Sequence, residues 1–591
     1  MSDVLVRGPG DIVAGFRHRA LTGVRVCFIN MPLREAAKPN TPPQGPGLMA
    51  ARLLQYGADV TIIDFNAYRV IDEVAEKLGL VNGRHLSKSE ALELIEAHFN
   101  KHGEPHLVGI SGKITTLKWQ EWTVETLRYL VPDTFIISGG GLATQFKRGL
   151  LERIPGLDAI GHSEGDDIIL LAAADVKNFR ANRERMARAA VRERYGQYLG
   201  EIAGRHRYIY HGSRPKDLDA LPFAAWHLLE RDVYDQPVLD WYIETPVWGD
   251  LATGNSSAAP FRMKRSLTTV SSRGCPHACT FCFRGAQGER NWGLRSAANL
   301  RAEIEWLIER YGVDFVGFPD DNFAISVERC LELPVAFEGL PIKWGTHFRL
   351  DECDPVRLRA MAKSGLVYVG VGAESASKNV LYAMDKGGHI VRKGGEERLT
   401  MWQGYEFPTT MFEGIRTCRD EGVHVNCTWI MGFPSETLAD LQTSVAFIKW
   451  QIEEVTQGLT PGTPEYANAY QSINKRLFTA TWYPGTTMVE ASPESMPKSR
   501  LYLAESAEKA RRLLTQHFGI SFEKTGMGRL TKFSPVIDKA MWHYVLELDD
   551  ATKMLIGADG EPLNYSAMPD DVFVKAREHI DAGELDAVLA M

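Results

Sequence analysis

Apolar residues between positions 21 and 190 fall in short unbroken runs, separated by stretches in which they recur every three or four positions. VRVCFIN (24–30), DVTIIDF (59–65), HLVGIS (106–111) and TFIISGGG (134–141) are too short for helices. They are also too evenly apolar for strands with one wet face, so they predict strands buried on both sides. LDAIGHSEG (157–165) closes the series. LMAARLLQYG, EALELIEAHFN and WQEWTVETLRYL carry helical spacing between them. Strand–helix alternation of this kind predicts a doubly wound, Rossmann-like α/β sheet whose ligands bind at the carboxyl ends of its strands.

A second alternation begins near 266. SLTTVSS (266–272), DFVGFPD (314–320), IKWGTHF (342–348), LVYVGVG (366–372), VHVNCTWIMG (423–432) and RLFTATWY (476–483) read as strands. Helices lie between them, the clearest with Leu300, Ile304, Leu307, Ile308 and Tyr311 on one face. Six such units predict a partial (βα)6 barrel of TIM type with its active face at the strand carboxyl ends. The 376–422 interval is long for one crossover and contains a candidate lid at 389–410. Basic residues at 178–215 read as a solvated helix, and DLDALPFAAWHLL (217–229) reads as a connector. The division that follows is an extension at 1–20, a first domain at 21–190, a linker at 191–265, the partial barrel at 266–490 and a mixed C-terminal domain at 491–591.

Charge narrows the partners. Across 591 residues, 67 Lys and Arg against 75 Asp and Glu leave a net charge of −8, so no global basic surface recruits nucleic acid or an acidic membrane. No apolar run is long enough to span a bilayer and the N-terminus lacks a secretory apolar core, so a cytoplasmic location is expected.

The chain has eight cysteines, too few for a disulfide scaffold, and three of them cluster. Cys275, Cys279 and Cys282 form CxxxCxxC just after the first barrel strand. Three thiolates on one loop can hold three irons of a 4Fe–4S cluster and leave the fourth open for chemistry. Gly274 lets the backbone turn close to the metal. A zinc site that includes His277, or three structural cysteines, are the alternatives.

This motif, with Phe281 before its last cysteine, resembles the signature of the radical S-adenosylmethionine (SAM) superfamily over roughly 266–490. Phe318-Pro319-Asp320-Asp321-Asn322-Phe323 resembles the family's acidic turn, and Gly372-Ala373-Glu374-Ser375 its G-x-E-S turn. Gly432-Phe433-Pro434-Ser435-Glu436-Thr437 and Pro484-Gly485-Thr486 resemble later turns. The resemblance implies that SAM chelates the open iron and that Asp320, Glu374 and Arg349 stand near it.

A doubly wound domain ahead of CxxxCxxC resembles the cobalamin-binding branch of that superfamily, as does DLDALPF. The branch implies cobalamin beside the strand ends at Pro32, Leu33, Ser111, Ser138, Gly139, Gly140, Gly141 and Glu164. No D-x-H-x-x-G supplies a histidine to cobalt, and Arg69 is the candidate neighbour of the lower cobalt face.

The whole chain is similar to the tryptophan 2-C-methyltransferases of antibiotic (thiostrepton-type) biosynthesis. That similarity implies methyl transfer from SAM through methylcobalamin to carbon 2 of the indole of L-tryptophan, by a polar route, with an external electron donor. Tyr405, His347 and Trp402 are candidate bases or pocket residues. Competing readings are a relative that methylates another carbon or phosphorus centre or closes a ring by radical chemistry, a non-catalytic cobalamin and iron–sulfur protein, and a zinc protein.

Overall fold

A computed structural model describes residues 19–33, 41–112, 116–179, 196–244, 263–282, 292–471 and 566–591, with short pieces at 182, 186, 473, 475, 477–480, 486–490, 536–537, 542–543 and 564. Two parallel sheets organise it.

The first sheet contains β1 (Arg25–Asn30), β2 (Asp59–Asp64), β3 (Leu107–Ser111), β4 (Phe135–Gly139), β5 (Ala159–His162), β6 (Gly196–Ile202) and β7 (Arg205–His211). Their spatial order is β2-β1-β3-β4-β5-β7-β6. The first five are parallel, as the unbroken apolar runs require. In β1, Val26 and Phe28 enter one core while Cys27 and Ile29 enter another, so both faces are covered. Helices are cut to length by local signals. Ser87 and Glu90 form a capping box ahead of Lys88–His102, and Gly103 ends that helix.

The solvated helix expected at 178–215 is corrected at its end. Residues 196–211 form the hairpin β6–β7, with β7 parallel to β5 and β6 antiparallel to β7. Tyr208 and Tyr210 are buried in this hairpin, and their burial outweighs the helical charge pattern. Fifteen further residues of the stretch, 181 and its neighbours to 195, lie mainly outside the described residues.

The second sheet contains β8 (Ser266–Thr268), β9 (Phe315–Phe318), β10 (Lys343–Arg349), β11 (Leu366–Glu374), β12 (His424–Met431) and β13 (Phe478–Thr479). All six are parallel and adjacent in chain order, the partial barrel expected from the pattern. Phe315 and Tyr368 pack together at its base. Higher up, the lumen-facing position of β11 is Gly370, where a Cβ would stand 2.4 Å from His347 Cδ2.

The connector locks the two sheets. Ala225 donates to Gly47 O at 3.0 Å, and a Cβ on Gly47 would meet Ala224 and Trp226 at 3.3–3.4 Å. Gln44 reaches across to Thr268 O at 2.8 Å. At the C-terminus, Leu585–Leu589 packs on Leu438–Thr456, with Gln442 Nε2 donating to Val588 O at 3.1 Å. Arg577, fully buried, bonds to Leu477 O and to Asp581. Most of 491–563 and the Pro484-Gly485 turn lie outside the described residues.

The candidate lid is two hairpins, Arg392–Lys393 with Glu396–Glu397 and Leu399–Trp402 with Tyr405–Pro408. Phe407 packs edge-on against Phe447 of the outer helix Leu438–Thr456, and Trp402 lies beside Phe407. Trp402 and Tyr405 thus join the outer layer of the barrel.

Candidate functional site: a cysteine loop facing a glycine-edged cavity

The carboxyl ends of both sheets face one cavity of about 490 Å³. One wall is the strand ends of the first sheet, including Ser111, Gly139, Gly140, Gly141 and Glu164. The other is the start of the cysteine loop, Ser272 to Gly274, with Pro319, Asp320 and Asp321. Gly140 has φ +84°, and a Cβ there would meet Ser111 Oγ at 3.0 Å, while Gly139 faces open space. The wall is therefore bare backbone, a surface that a broad planar ligand can approach.

Not every expected wall residue reaches it. Ser138 is buried and donates to Gln120 Oε1 at 3.2 Å. Pro32 is buried and Leu33 exposed, with Leu33 N bonded to Asn66 Oδ1, and neither lines the cavity. Arg69 also lies off the cavity wall. Its Nη1 bonds to the carbonyls of Asn66 and Tyr68 at 3.0 and 2.8 Å and lies 3.0 Å from His85 Nδ1. Burial and the Arg69 charge hold His85 down at about 3, so that imidazole is neutral. Arg69 closes the end of β2 rather than lining the cavity, because a guanidinium with carbonyl partners at hand satisfies its donors locally.

The acidic turn after β9 builds the cysteine loop. Asp320 is buried and accepts from Ser271 N at 2.8 Å, Ser272 Oγ at 2.8 Å and the Ser271 hydroxyl. Asp321 accepts from the Gly274 amide. The two carboxylates so fix the four residues that lead into Cys275. Arg329, beneath them, donates to Ser271 O at 2.9 Å.

Cys275, Cys279 and Cys282 follow at the rim, within electrostatic reach of one another. Burial and the neighbouring thiols push Cys282 up to about 12 and Cys275 upward, so these thiols carry protons until a metal displaces them. Among the described residues, no three His, Cys, Asp or Glu side chains converge on a single-ion site. Thr280 N bonds to Met384 O at 3.0 Å and Met488 N to Thr280 O at 2.7 Å, which anchors the loop from behind. Phe281 adds an apolar anchor against Val380, Met384, Phe433 and Met488.

On the far side of the loop stands Glu374, at φ +62° beyond a register shift in β11. A non-glycine residue in that region stores about 1–3 kcal/mol and persists where surroundings enforce it. Lys386 Nζ lies 3.3 Å from its Oε1 and donates to Gly372 O at 2.6 Å, while Thr428 Oγ1 donates to Oε2 at 3.3 Å. Lys386 and Thr428 were not singled out from the sequence. Lys386 belongs to the long 376–422 crossover, ahead of the candidate lid, and only its buried position marks it as part of the site.

His347 faces the lumen and is held down at about 4 by desolvation, hence neutral at pH 7. Arg349, one lumen position higher on β10, places Nη1 3.7 Å from Cys279 Sγ and Nε 2.9 Å from Asp351 Oδ1. Arg273 and Arg214, also unassigned from the sequence, bind Glu164 at 3.0 and 3.3 Å across the cavity.

Residues 269–448 match the family model of the Radical SAM superfamily. A fold likeness narrows the comparison: the structure of the radical SAM methyltransferase TsrM from Kitasatospora setae, with tryptophan substrate and a SAM analogue bound, superposes with a TM-score of 0.55 at 14% identity. That likeness covers 95% of this chain and 88% of the other. An uncharacterized methyltransferase of Pyrococcus horikoshii is 24% identical over 406 residues, 66% of this chain and 74% of the relative. The cytidylyl-2-hydroxyethylphosphonate methyltransferase of Streptomyces wedmorensis is 26% identical over 437 residues, 68% of this chain and 72% of the relative. No helix among the described residues is long and apolar enough to cross a membrane.

Proposed function

We propose that the chain is a cobalamin-dependent radical SAM methyltransferase, and that it carries a methyl group from SAM to carbon 2 of the indole of L-tryptophan. The observation that carries the reading is the shared cavity. A bare glycine wall at the carboxyl ends of one sheet faces a three-cysteine loop at the carboxyl ends of another. The donor set suits the cofactors: three thiols of one loop for a 4Fe–4S cluster, an enforced carboxylate at Glu374 for the polar end of SAM, and an unobstructed backbone wall for a corrin. When bound, these groups supply the methyl donor and the cobalt centre that relays it.

The chain's own residues hold and orient. Asp320 and Asp321 shape the cysteine loop. Lys386 and Thr428 present both oxygens of Glu374 toward the lumen. Gly370 keeps the lumen clear beside His347, whose neutral ring has acceptor capacity at physiological pH. The whole-chain fold likeness to TsrM supports tryptophan as acceptor. Methylation of another carbon or phosphorus centre is the second reading, supported by the sequence match to a methyltransferase named for cytidylyl-2-hydroxyethylphosphonate.

The deciding assay uses reconstituted full-length protein, methylcobalamin, SAM, a low-potential reductant and L-tryptophan under anaerobic conditions, read by mass spectrometry. 2-Methyltryptophan with S-adenosylhomocysteine and no 5′-deoxyadenosine is expected. SAM cleavage to 5′-deoxyadenosine without methylated tryptophan would discard both substrate and polar route.

A further inference from the structure

We infer that Arg349 is a tuning residue of the iron–sulfur centre: a buried guanidinium that donates a hydrogen bond to the ligand sulfur of Cys279 and raises the cluster's reduction potential. The inference rests on the three-cysteine cluster proposed above and goes beyond it.

Three observations carry it. Arg349 ends β10 and reaches the cysteine loop, where Nη1 stands 3.7 Å from Cys279 Sγ, within hydrogen-bond reach of sulfur. Asp351 holds the opposite edge of the fork, with Nε at 2.9 Å from Oδ1 and Nη2 at 3.4 Å from Oδ2. The side chain is 7% exposed, so water does not compete for the remaining donor. The planar fork thus has one edge occupied by a carboxylate and one corner aimed at a cluster ligand, a geometry that lysine cannot reproduce.

The consequence follows from electrostatics. A reduced cluster carries one more negative charge than an oxidised one, shared with its thiolate sulfurs. An N–H donor on such a sulfur stabilises the reduced state more than the oxidised state. Asp351 offsets part of the guanidinium's field at longer range, so the directional bond to Cys279 carries the effect. Lys386, a buried cation beside Phe281, is committed to Gly372 O and Glu374. During reduction one electron enters from an external donor, with no bond made or broken at Arg349.

The test is an anaerobic, dye-mediated titration with dithionite of the reconstituted full-length protein without SAM, followed by electron paramagnetic resonance. Arg349→Met is expected to keep its iron and shift the midpoint to a more negative value. Arg349→Lys, which retains the charge without the fork, is expected to fall between Met and wild type. Should the Met variant fail to load iron, the Lys variant decides: a midpoint equal to wild type overturns the inference. An unshifted midpoint with weakened SAM binding overturns it too, because Arg349 would then be an anchor for SAM. Absence of a 4Fe–4S signal in the wild type is a different failure, that of the cluster reading itself.

Discussion

Arg273 and Asp166 form a two-pronged ion pair across the cavity, with Nη1 2.5 Å from Oδ2 and Nη2 3.1 Å from Oδ1. Arg273 precedes the first cluster cysteine by two residues, and Asp166 opens the helix after β5. Together with the Arg273–Glu164 contact, this pair ties the cysteine loop to the glycine wall. Arg273→Met leaves Asp166 buried without its cation, a loss on the order of 3 kcal/mol. We expect a lower denaturation midpoint and weaker cobalamin retention, with iron content preserved. Unchanged cobalamin retention would show that the pair does not tie the loop to the wall.

Cys279→Ala is expected to abolish the iron–sulfur absorbance after reconstitution, whereas Cys427→Ala, at a buried position of β12, should keep it. Iron and sulfide analysis of the two variants settles the ligand assignment. Full iron in Cys279→Ala would remove that residue from the ligand set.

Glu374 bears on both stability and binding. Its left-handed backbone costs about 1–3 kcal/mol in any residue but glycine. Glu374→Gly also leaves the buried Lys386 without its carboxylate, a loss on the order of 3 kcal/mol, so the variant is expected to be no more stable than wild type. The same variant loses the carboxylate and should weaken SAM binding at least about tenfold, equal to about 1.4 kcal/mol. Calorimetric unfolding and SAM titration read the two effects independently. Unaltered SAM affinity would return Glu374 to a structural role.

Glu436 makes stability fall with rising pH. The side chain is wholly buried, with Oε2 on Gly432 N at 2.6 Å and no partner found for Oε1. Desolvation raises it to about 8, so the native state keeps a proton that the unfolded chain releases near the ordinary carboxyl value of 4.5. Its contribution is complete below pH 4.5 and is lost as pH rises through 8. Glu436→Gln, which needs no proton, is expected to melt a few degrees above wild type at pH 8.5 and within about a degree of it at pH 4.5.

His98 acts in the opposite direction. Burial, His102 and Lys101 hold it down at about 3, so it stays neutral in the native state while the unfolded chain takes up a proton near 6.5. Stability present above pH 6.5 is lost as pH falls from there toward 3. His98→Phe should flatten the acid limb of a stability profile between pH 6 and 4, and an unchanged slope would assign that limb to other groups.

The strands of both sheets were legible from the chain because burial on two faces demands unbroken apolar runs. Their parallel order followed from the helices between them. The three cysteines and Gly274 were legible because covalent spacing alone brings them onto one loop. The hairpin at 196–211 escaped, because it follows a basic run that reads as one continuous helix, and its strand character depends on pairing with the edge that β5 offers.

The placement of Arg69, Ser138, Arg273, Lys386 and Arg349 was decided only by tertiary structure. Arg69 and Ser138 turned to nearby carbonyl and amide partners that periodicity does not register. Arg273 and Arg349 found partners 107 and 70 residues away in the chain, Asp166 and Cys279. Side-chain period and covalent spacing are local properties that a sequence displays directly. The direction of a buried charge is settled by whichever distant group desolvation leaves beside it.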